Sequence, residues 1–226
     1  MILALDGVTD PQNVGALLRT SFLLGVSGIV ASGIGSALAS ASVASGRQRG
    51  GGGGERGSNS SSSSSNPRAG AISHVSKASA GALEVLASRG AVATTKGSSL
   101  APFLRSAAGG GWNVVAAMLP SVVDGDEAGG DDGSSGTAAA IPLSAFTMPE
   151  GGSGGSRGTI LVLGSEGEGV SSAAAKVCAG SGGFVFVETA TDGEKGRGGG
   201  LVDSFNVSVA GAILLHRLTQ EEEMRA

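Results

Sequence analysis

The stretch "ILALDGVTDPQNVGALLRTSFLLGVSGIVAS", residues 2–32, decides the fold. Two short apolar runs, "ILALD" and "GIVAS", predict strands, and the apolar residues between them keep helical spacing. Asp10 followed by Pro11 is a typical helix start, and Gly25 is a typical helix stop. The stretch therefore predicts a strand, a helix and a second strand.

The same alternation recurs along the chain. "WNVVAAML", "TILVL" and "FVFVE" predict further strands, while "HVSKASAGALEVL", residues 102–107, residues 170–178 and "SFNVSVAGAILLHRL" predict helices. Strands that alternate with helices are typical of an α/β fold. We expect a mostly parallel sheet with helices on both faces.

Two segments do not fit this pattern. The chain has 226 residues, of which 42 are glycine, and only 3% are aromatic. Residues 46–67, "GRQRGGGGGERGSNSSSSSSNP", and residues of about 124–137 carry too little apolar surface to pack. We therefore expect one domain over 1–226 with disordered insertions at these two places.

Charge and composition exclude few functions. The net charge is −4, but five acidic residues lie within 124–132, and without them it would be +1, so nucleic-acid binding stays open. Cys178 is the sole cysteine and excludes an internal disulfide, and with two histidines no metal site is expected. Residues 20–46 carry no charge, yet their strand and helix pattern argues against a membrane span. No signal or transit peptide is visible.

Three polar loops follow predicted strands: "DGVTDPQN", "GSEGEG" and "LVDSFN". Because parallel strands end at one edge of a sheet, we expect these loops to form a single site. Glycine-rich turns such as "GSEGEG" also occur in dinucleotide-binding enzymes. Glu166 and Glu168 disfavour a pyrophosphate there, so a cationic or neutral ligand fits better.

Together, the three loops resemble a known family. "LDGVTDPQNVGALLRTSFLLGV", "LVLGSEGEGVS" and "SFNVSVAGAI" are similar, in order and separation, to the three signature motifs of the SpoU (TrmH) RNA 2'-O-ribose methyltransferases of the SPOUT superfamily. "VSKASAGALEV" also resembles members that modify large-subunit rRNA, including mitochondrial ones. The resemblance implies a C-terminal trefoil knot, a homodimer, S-adenosylmethionine as cofactor, and a guanosine of rRNA as substrate. It also implies a mitochondrial or plastid location, with the cytoplasm as the alternative.

The resemblance also implies which residues act. The active-site positions of the family correspond to Asn13, Arg19, Glu166, Ser204 and Asn206, and the positions that hold the cofactor correspond to Gly164, Val187 and Phe205.

Arg19 is the most informative of these positions. Its guanidinium is too weak an acid to serve as the base, so we expect it to hold an RNA phosphate and align the ribose. Asn13 and Asn206 would orient the nucleotide, Ser204 would bridge substrate and loop, and Glu166 would order the site or accept the hydroxyl proton. DNA lacks the 2'-hydroxyl and is excluded as acceptor.

Two departures from the family pattern bear on cofactor affinity: Glu188 follows Val187 where the family has Ile-Pro, and Phe205 replaces leucine. The alternatives are therefore a tRNA methyltransferase, a knotted RNA-binding protein without catalysis, and a dinucleotide-dependent enzyme.

Some of these polar residues also have purely structural interpretations. Arg19 would pair with Asp6 or Glu166, Asp6 and Asp10 would cap loops, and residues 221–223 would form a solvated helix end.

Overall fold

A computed structural model describes residues 1–33, 38, 67–95, 97, 99–119, 139–149, 156–189 and 204–225. Both predicted insertions lie largely or wholly outside these residues, so the structure does not test them. Within the described part, no helix combines the length and apolarity needed to cross a bilayer.

The centre of the fold is a sheet of seven strands, all paired in parallel. In chain order they are β1 (Ile2–Asp6), β2 (Gly28–Ala31), β3 (Val92–Thr94), β4 (Asn113–Ala117), β5 (Ile141–Pro142), β6 (Thr159–Gly164) and β7 (Gly183–Phe186). Across the sheet the order is β3-β2-β1-β6-β4-β7-β5. β6 pairs with β1 and β4, so a strand from late in the chain lies at the centre. Its six residues are all buried, as its continuous apolar run predicts.

Six helices cover the described sheet: α1 (Pro11–Leu23), α2 (Pro67–Ser79), α3 (Ala82–Ser88), α4 (Ala101–Gly109), α5 (Ser172–Ala179) and α6 (Val207–Arg225). Leucines and valines of α1, α2, α3 and α6 pack in one apolar core. Those of α4, together with Ala174 and Cys178 of α5, pack in a second core with the alternate residues of the strands. The predicted parallel sheet with helices on both faces is confirmed.

Two elements differ from the sequence-based expectation. The predicted helix "HVSKASAGALEVL" is broken into α2 and α3, because Ala80 and Gly81 take positive φ angles of 49° and 89° that a continuous helix cannot contain. The strand β5 was not expected, since its two residues include a proline, which is tolerated at the edge of the sheet.

The C-terminal acidic run also differs from its expected role as a solvated end. Glu221 is buried and its Oε1 accepts hydrogen bonds from the Met148 backbone N–H at 2.9 Å and from Arg225 at 3.0 Å. Glu222 Oε1 accepts from the Thr159 N–H at 2.6 Å. The expectation is wrong for these two residues, because they fasten the end of α6 to the start of β6.

Candidate functional site

Three side chains from distant parts of the chain meet in one hydrogen-bonded cluster at the carboxyl edge of the sheet. The Asn13 amide on α1 donates to Glu166 Oε1 at 3.0 Å. The Asn206 amide, next to the start of α6, donates to Glu166 Oε1 at 2.6 Å and to Asn13 Oδ1 at 3.0 Å. The expected convergence of the three loops is thus confirmed.

Ser208 fixes the orientation of the Asn206 amide. Its backbone N–H and its hydroxyl donate to Asn206 Oδ1 at 2.9 and 2.6 Å. With the carbonyl oxygen occupied in this way, the amide nitrogen of Asn206 faces Asn13 and Glu166. An asparagine that caps a helix explains this geometry, and the pair of polar residues two positions apart in "SFNVS" is the signal that sequence reasoning did not use.

The loop that carries Glu166 is closed on itself. Ser165 and Gly169 exchange two backbone hydrogen bonds, of 3.1 and 2.9 Å. A Cβ on Gly164 would lie 2.1 Å from the Gly169 carbonyl carbon, so glycine is required for this close approach. Gly164 therefore shapes the loop as well as lining the cavity described below.

Asp6, at the end of β1, holds the neighbouring loops in place. Its Oδ2 accepts from the Ser171 N–H at 2.8 Å and its Oδ1 from the Ser32 hydroxyl at 3.2 Å. Asp10 Oδ2 accepts from the Asn13 N–H at 3.0 Å at the start of α1. The expectation that both aspartates cap loops is confirmed, and Asp6 links β1, β2 and the start of α5.

A cavity of about 620 Å³ lies beside the cluster. The three residues expected to hold a cofactor, Gly164, Val187 and Phe205, all line it, as do Glu166, Ser204 and Asn206. Among the described lining residues the charged ones are Glu166 and Glu168, and none is basic. Its volume lies in the range of small-molecule sites, roughly 300–1,000 Å³, and its charge suits a cationic ligand.

Arg19 does not join the cluster. It lies six residues beyond Asn13, which places it about 9 Å along α1 and on another face of the helix. Its side chain is exposed, and no hydrogen bond or ion pair within the described residues involves it. The expected ion pair with Asp6 or Glu166 is wrong, because both carboxylates accept hydrogen bonds from other groups.

Glu188, one of the departures from the family pattern, does not line the cavity among the described residues. Its carboxylate accepts hydrogen bonds from the hydroxyl and the backbone N–H of Ser144, in the loop after β5. The Ser144 hydroxyl, and then the backbone N–H groups nearby, lower the pKa of Glu188. Phe205, the other departure, is 41% exposed and lines the cavity.

We expect Glu188→Gln to lower the melting temperature near neutral pH and to have no effect in acid. Since the folded protein lowers the pKa of Glu188 below its ordinary value of 4.5, the carboxylate stabilises the fold above 4.5, and the effect is lost as pH falls through the lowered value. Thermal unfolding of both proteins over this range measures it. Glu223→Gln, at an exposed glutamate, is the matched control, and identical pH profiles for the two variants would contradict the expectation.

Cys178 takes no part in the site. Burial, and secondarily the negative charge of Asp6, raise the pKa of its thiol from 9.0 to about 12. The thiolate that nucleophilic chemistry needs is therefore scarce at neutral pH.

Comparison with known proteins relates this fold to one group of enzymes. No protein-family model matches the sequence, and no curated protein matches it. Among solved structures, a protein assigned to the TrmH family of RNA methyltransferases from Porphyromonas gingivalis has 23% identity and a TM-score of 0.55 over 96% of this chain. An AdoMet-bound rRNA methyltransferase from Sinorhizobium meliloti has 18% identity and a TM-score of 0.54 over 97% of this chain.

A third structure, the TrmH/SpoU tRNA modifying enzyme of A. aeolicus, has 17% identity and a TM-score of 0.52, and the match covers 100% of this chain and 76% of that enzyme. The chain spans 58% and 55% of the lengths of the first two proteins. At these identities the likeness concerns the fold, and the chain has the α/β fold of the TrmH/SpoU RNA methyltransferases.

Proposed function

We propose that this protein transfers a methyl group from S-adenosylmethionine to a ribose 2'-hydroxyl of RNA, with a guanosine of large-subunit rRNA as the acceptor. The observation that carries the proposal is the Asn13–Glu166–Asn206 cluster beside a cavity of about 620 Å³. The solved structures with the same fold include an AdoMet-bound rRNA methyltransferase.

The cavity lining fits this cofactor better than a dinucleotide. A sulfonium and an amino group are cationic, and carboxylates are the charged groups among the described lining residues. A pyrophosphate would meet Glu166 and Glu168 without a described cation to offset them. Met118, Val185, Val187 and Phe205 supply apolar surface for an adenosine. When bound, the cofactor supplies an electrophilic methyl group.

The chain's own residues then position the acceptor and receive its proton. Glu166 Oε1 is held by two amides, while Oε2 accepts no hydrogen bond within the described residues. We assign Oε2 to orient the ribose hydroxyl and accept its proton as the oxygen bonds to the methyl carbon. Asn13 and Asn206 hold the carboxylate, and Ser204, exposed at the cavity, contacts the nucleotide.

We further propose a homodimer formed through α1 and α6. Leu23 on α1 and Val209 and Ile213 on α6 are exposed apolar residues, and the two helices pack against each other. Arg19 lies one helical turn before Leu23 on the same exposed face. Such a dimer places Arg19 next to the interface, where it would hold a phosphate of the bound RNA.

A C-terminal trefoil knot is also part of the proposal. It is supported by the strand order, in which β6 lies between β1 and β4 while β7 lies beyond β4. The return of α6 against α1 and β6 supports it further.

Two other functions remain as alternatives. A tRNA acceptor is favoured by the likeness to the tRNA modifying enzyme of A. aeolicus. A knotted RNA-binding protein without catalysis is favoured by Phe205, which departs from the family pattern at a cavity-lining position.

Calorimetric titration with S-adenosylmethionine and with NAD tests the proposal. We expect the protein to bind S-adenosylmethionine and not NAD, because of the acidic cavity lining. Methyl transfer is then measured on transcripts of large-subunit rRNA and of tRNA, with RNA whose target ribose lacks the 2'-hydroxyl as the control. Binding of NAD alone would overturn the proposal, and cofactor binding without transfer to either transcript would favour the inactive RNA-binding protein.

A further inference from the structure

A second cavity, of about 490 Å³, lies between α4 and α5, which pack on the face of the sheet opposite α1 and α6. We call it the α4–α5 cleft. Small residues of both helices, including Ala108, Ala173 and Gly180, line it and leave room for a ligand. Arg105 of α4 and Lys176 of α5 also line it, and none of its described lining residues is acidic.

The two positive charges of the cleft are uncompensated. Arg105 and Lys176 are both exposed, and in the described part of the chain neither takes part in an ion pair or a hydrogen bond. Two cations that face one concave surface without a carboxylate attract an anion. A guanidinium also presents a planar set of donors that suits two oxygens of one phosphate.

The cleft is next to the candidate active site. The lining of the 620 Å³ cavity runs along the chain to Val170, and the lining of the cleft begins at Ser172, so Ser171 alone separates them in sequence. The Ser171 N–H is fixed by its hydrogen bond to buried Asp6. Lys176 lies about 6 Å along α5 from Ser172, so the cations are close to the edge of the sheet where the nucleotide would enter.

We propose that the α4–α5 cleft binds the phosphodiester backbone of the RNA substrate beside the nucleotide that is methylated. This inference rests on the proposed function. RNA is a polyanion, whereas the charged groups among the described lining of the main cavity are carboxylates. The backbone must therefore find its cations outside that cavity, and Arg105 and Lys176 are cations on the adjoining surface.

The double variant Arg105→Glu/Lys176→Glu tests this binding. The probe is a short fluorescein-labelled single-stranded oligoribonucleotide of mixed sequence, and fluorescence anisotropy gives its Kd over a series of salt concentrations. Loss of two phosphate contacts should weaken binding about tenfold and reduce the slope of log affinity against log salt by about 1.4. Arg105→Gln/Lys176→Gln should change both quantities in the same direction by a smaller amount.

The matched control is Lys77→Glu/Arg157→Glu, which makes the same change in net charge. Lys77 lies on α2, on the other face of the sheet, and Arg157 precedes β6 at the opposite edge from the site; both are exposed. We expect the control to weaken binding much less, and both double variants to keep the wild-type melting temperature and S-adenosylmethionine affinity.

The outcomes separate this proposal from the proposed function. If the wild-type protein binds neither S-adenosylmethionine nor the oligoribonucleotide, the proposed function fails. If it binds both, and the cleft variant and the control lose the same affinity or none, the proposal for the cleft alone is overturned.

Discussion

Arg19→Ala should lower methyl transfer to RNA by about 10²–10³-fold while leaving S-adenosylmethionine affinity nearly unchanged. Arg19 is exposed and lies outside the cavity lining among the described residues, so its proposed contact is with RNA. Because it has no partner in the described part of the chain, its loss should change the free energy of unfolding by less than about 0.5 kcal/mol.

Arg19→Lys should restore little of this activity. An ammonium keeps the charge but lacks the planar pair of donors that fixes two phosphate oxygens at once. Arg157→Ala removes another exposed arginine and is the matched control, for which wild-type transfer is expected. Melting temperature, cofactor affinity and transfer to an rRNA transcript are measured on each protein. Wild-type transfer by Arg19→Ala would remove Arg19 from the mechanism.

Glu166→Gln should also reduce methyl transfer strongly, by about 10²–10⁴-fold. The glutamine side chain has the same shape, and its oxygen can still accept the hydrogen bonds that Asn13 and Asn206 donate to Oε1. The opposite position becomes an NH₂ group, which cannot accept the ribose proton. The cluster should therefore survive, with the cofactor affinity and melting temperature close to those of the wild type.

Glu168→Gln is the matched control for this variant. Glu168 lines the same cavity, is exposed, and its side chain makes no hydrogen bond within the described residues. If both variants lose the same activity, the effect reflects the negative charge of the cavity rather than a proton acceptor at residue 166. A changed pH dependence of transfer in Glu166→Gln alone would support the assigned role.

Local chemistry made much of the fold predictable. Asp10 and Pro11 mark the start of α1 in the sequence, and the structure begins the helix there. The continuous apolar run "TILVL" marks β6, whose residues are all buried. The loops that follow β1 and β6 could be expected at one edge, because parallel strands share a direction.

What depended on contacts between distant residues was not predictable. The charges at Glu221 and Glu222 look like a solvent-exposed run in sequence, yet backbone N–H groups of Met148 and Thr159 meet them. The break at Ala80 and Gly81 was missed because alanine is a good helix former and a single glycine is tolerated in a helix. Likewise, the sequence places Arg19 on the same helix as Asn13 but does not show which surface each one faces.

The separation of the cluster residues along the chain governs when the site can form during folding. Asn13 and Asn206 are 193 residues apart, and Asn13 and Glu166 are 153 apart. Contacts between such distant residues form slowly, because the intervening chain must lose conformational freedom before the contact stabilises it. On the ribosome, a nascent chain that already contains β1, α1 and β6 still lacks the amide that completes the cluster. Ligand binding at this edge would therefore be acquired at the end of synthesis, as the last helix closes against the sheet.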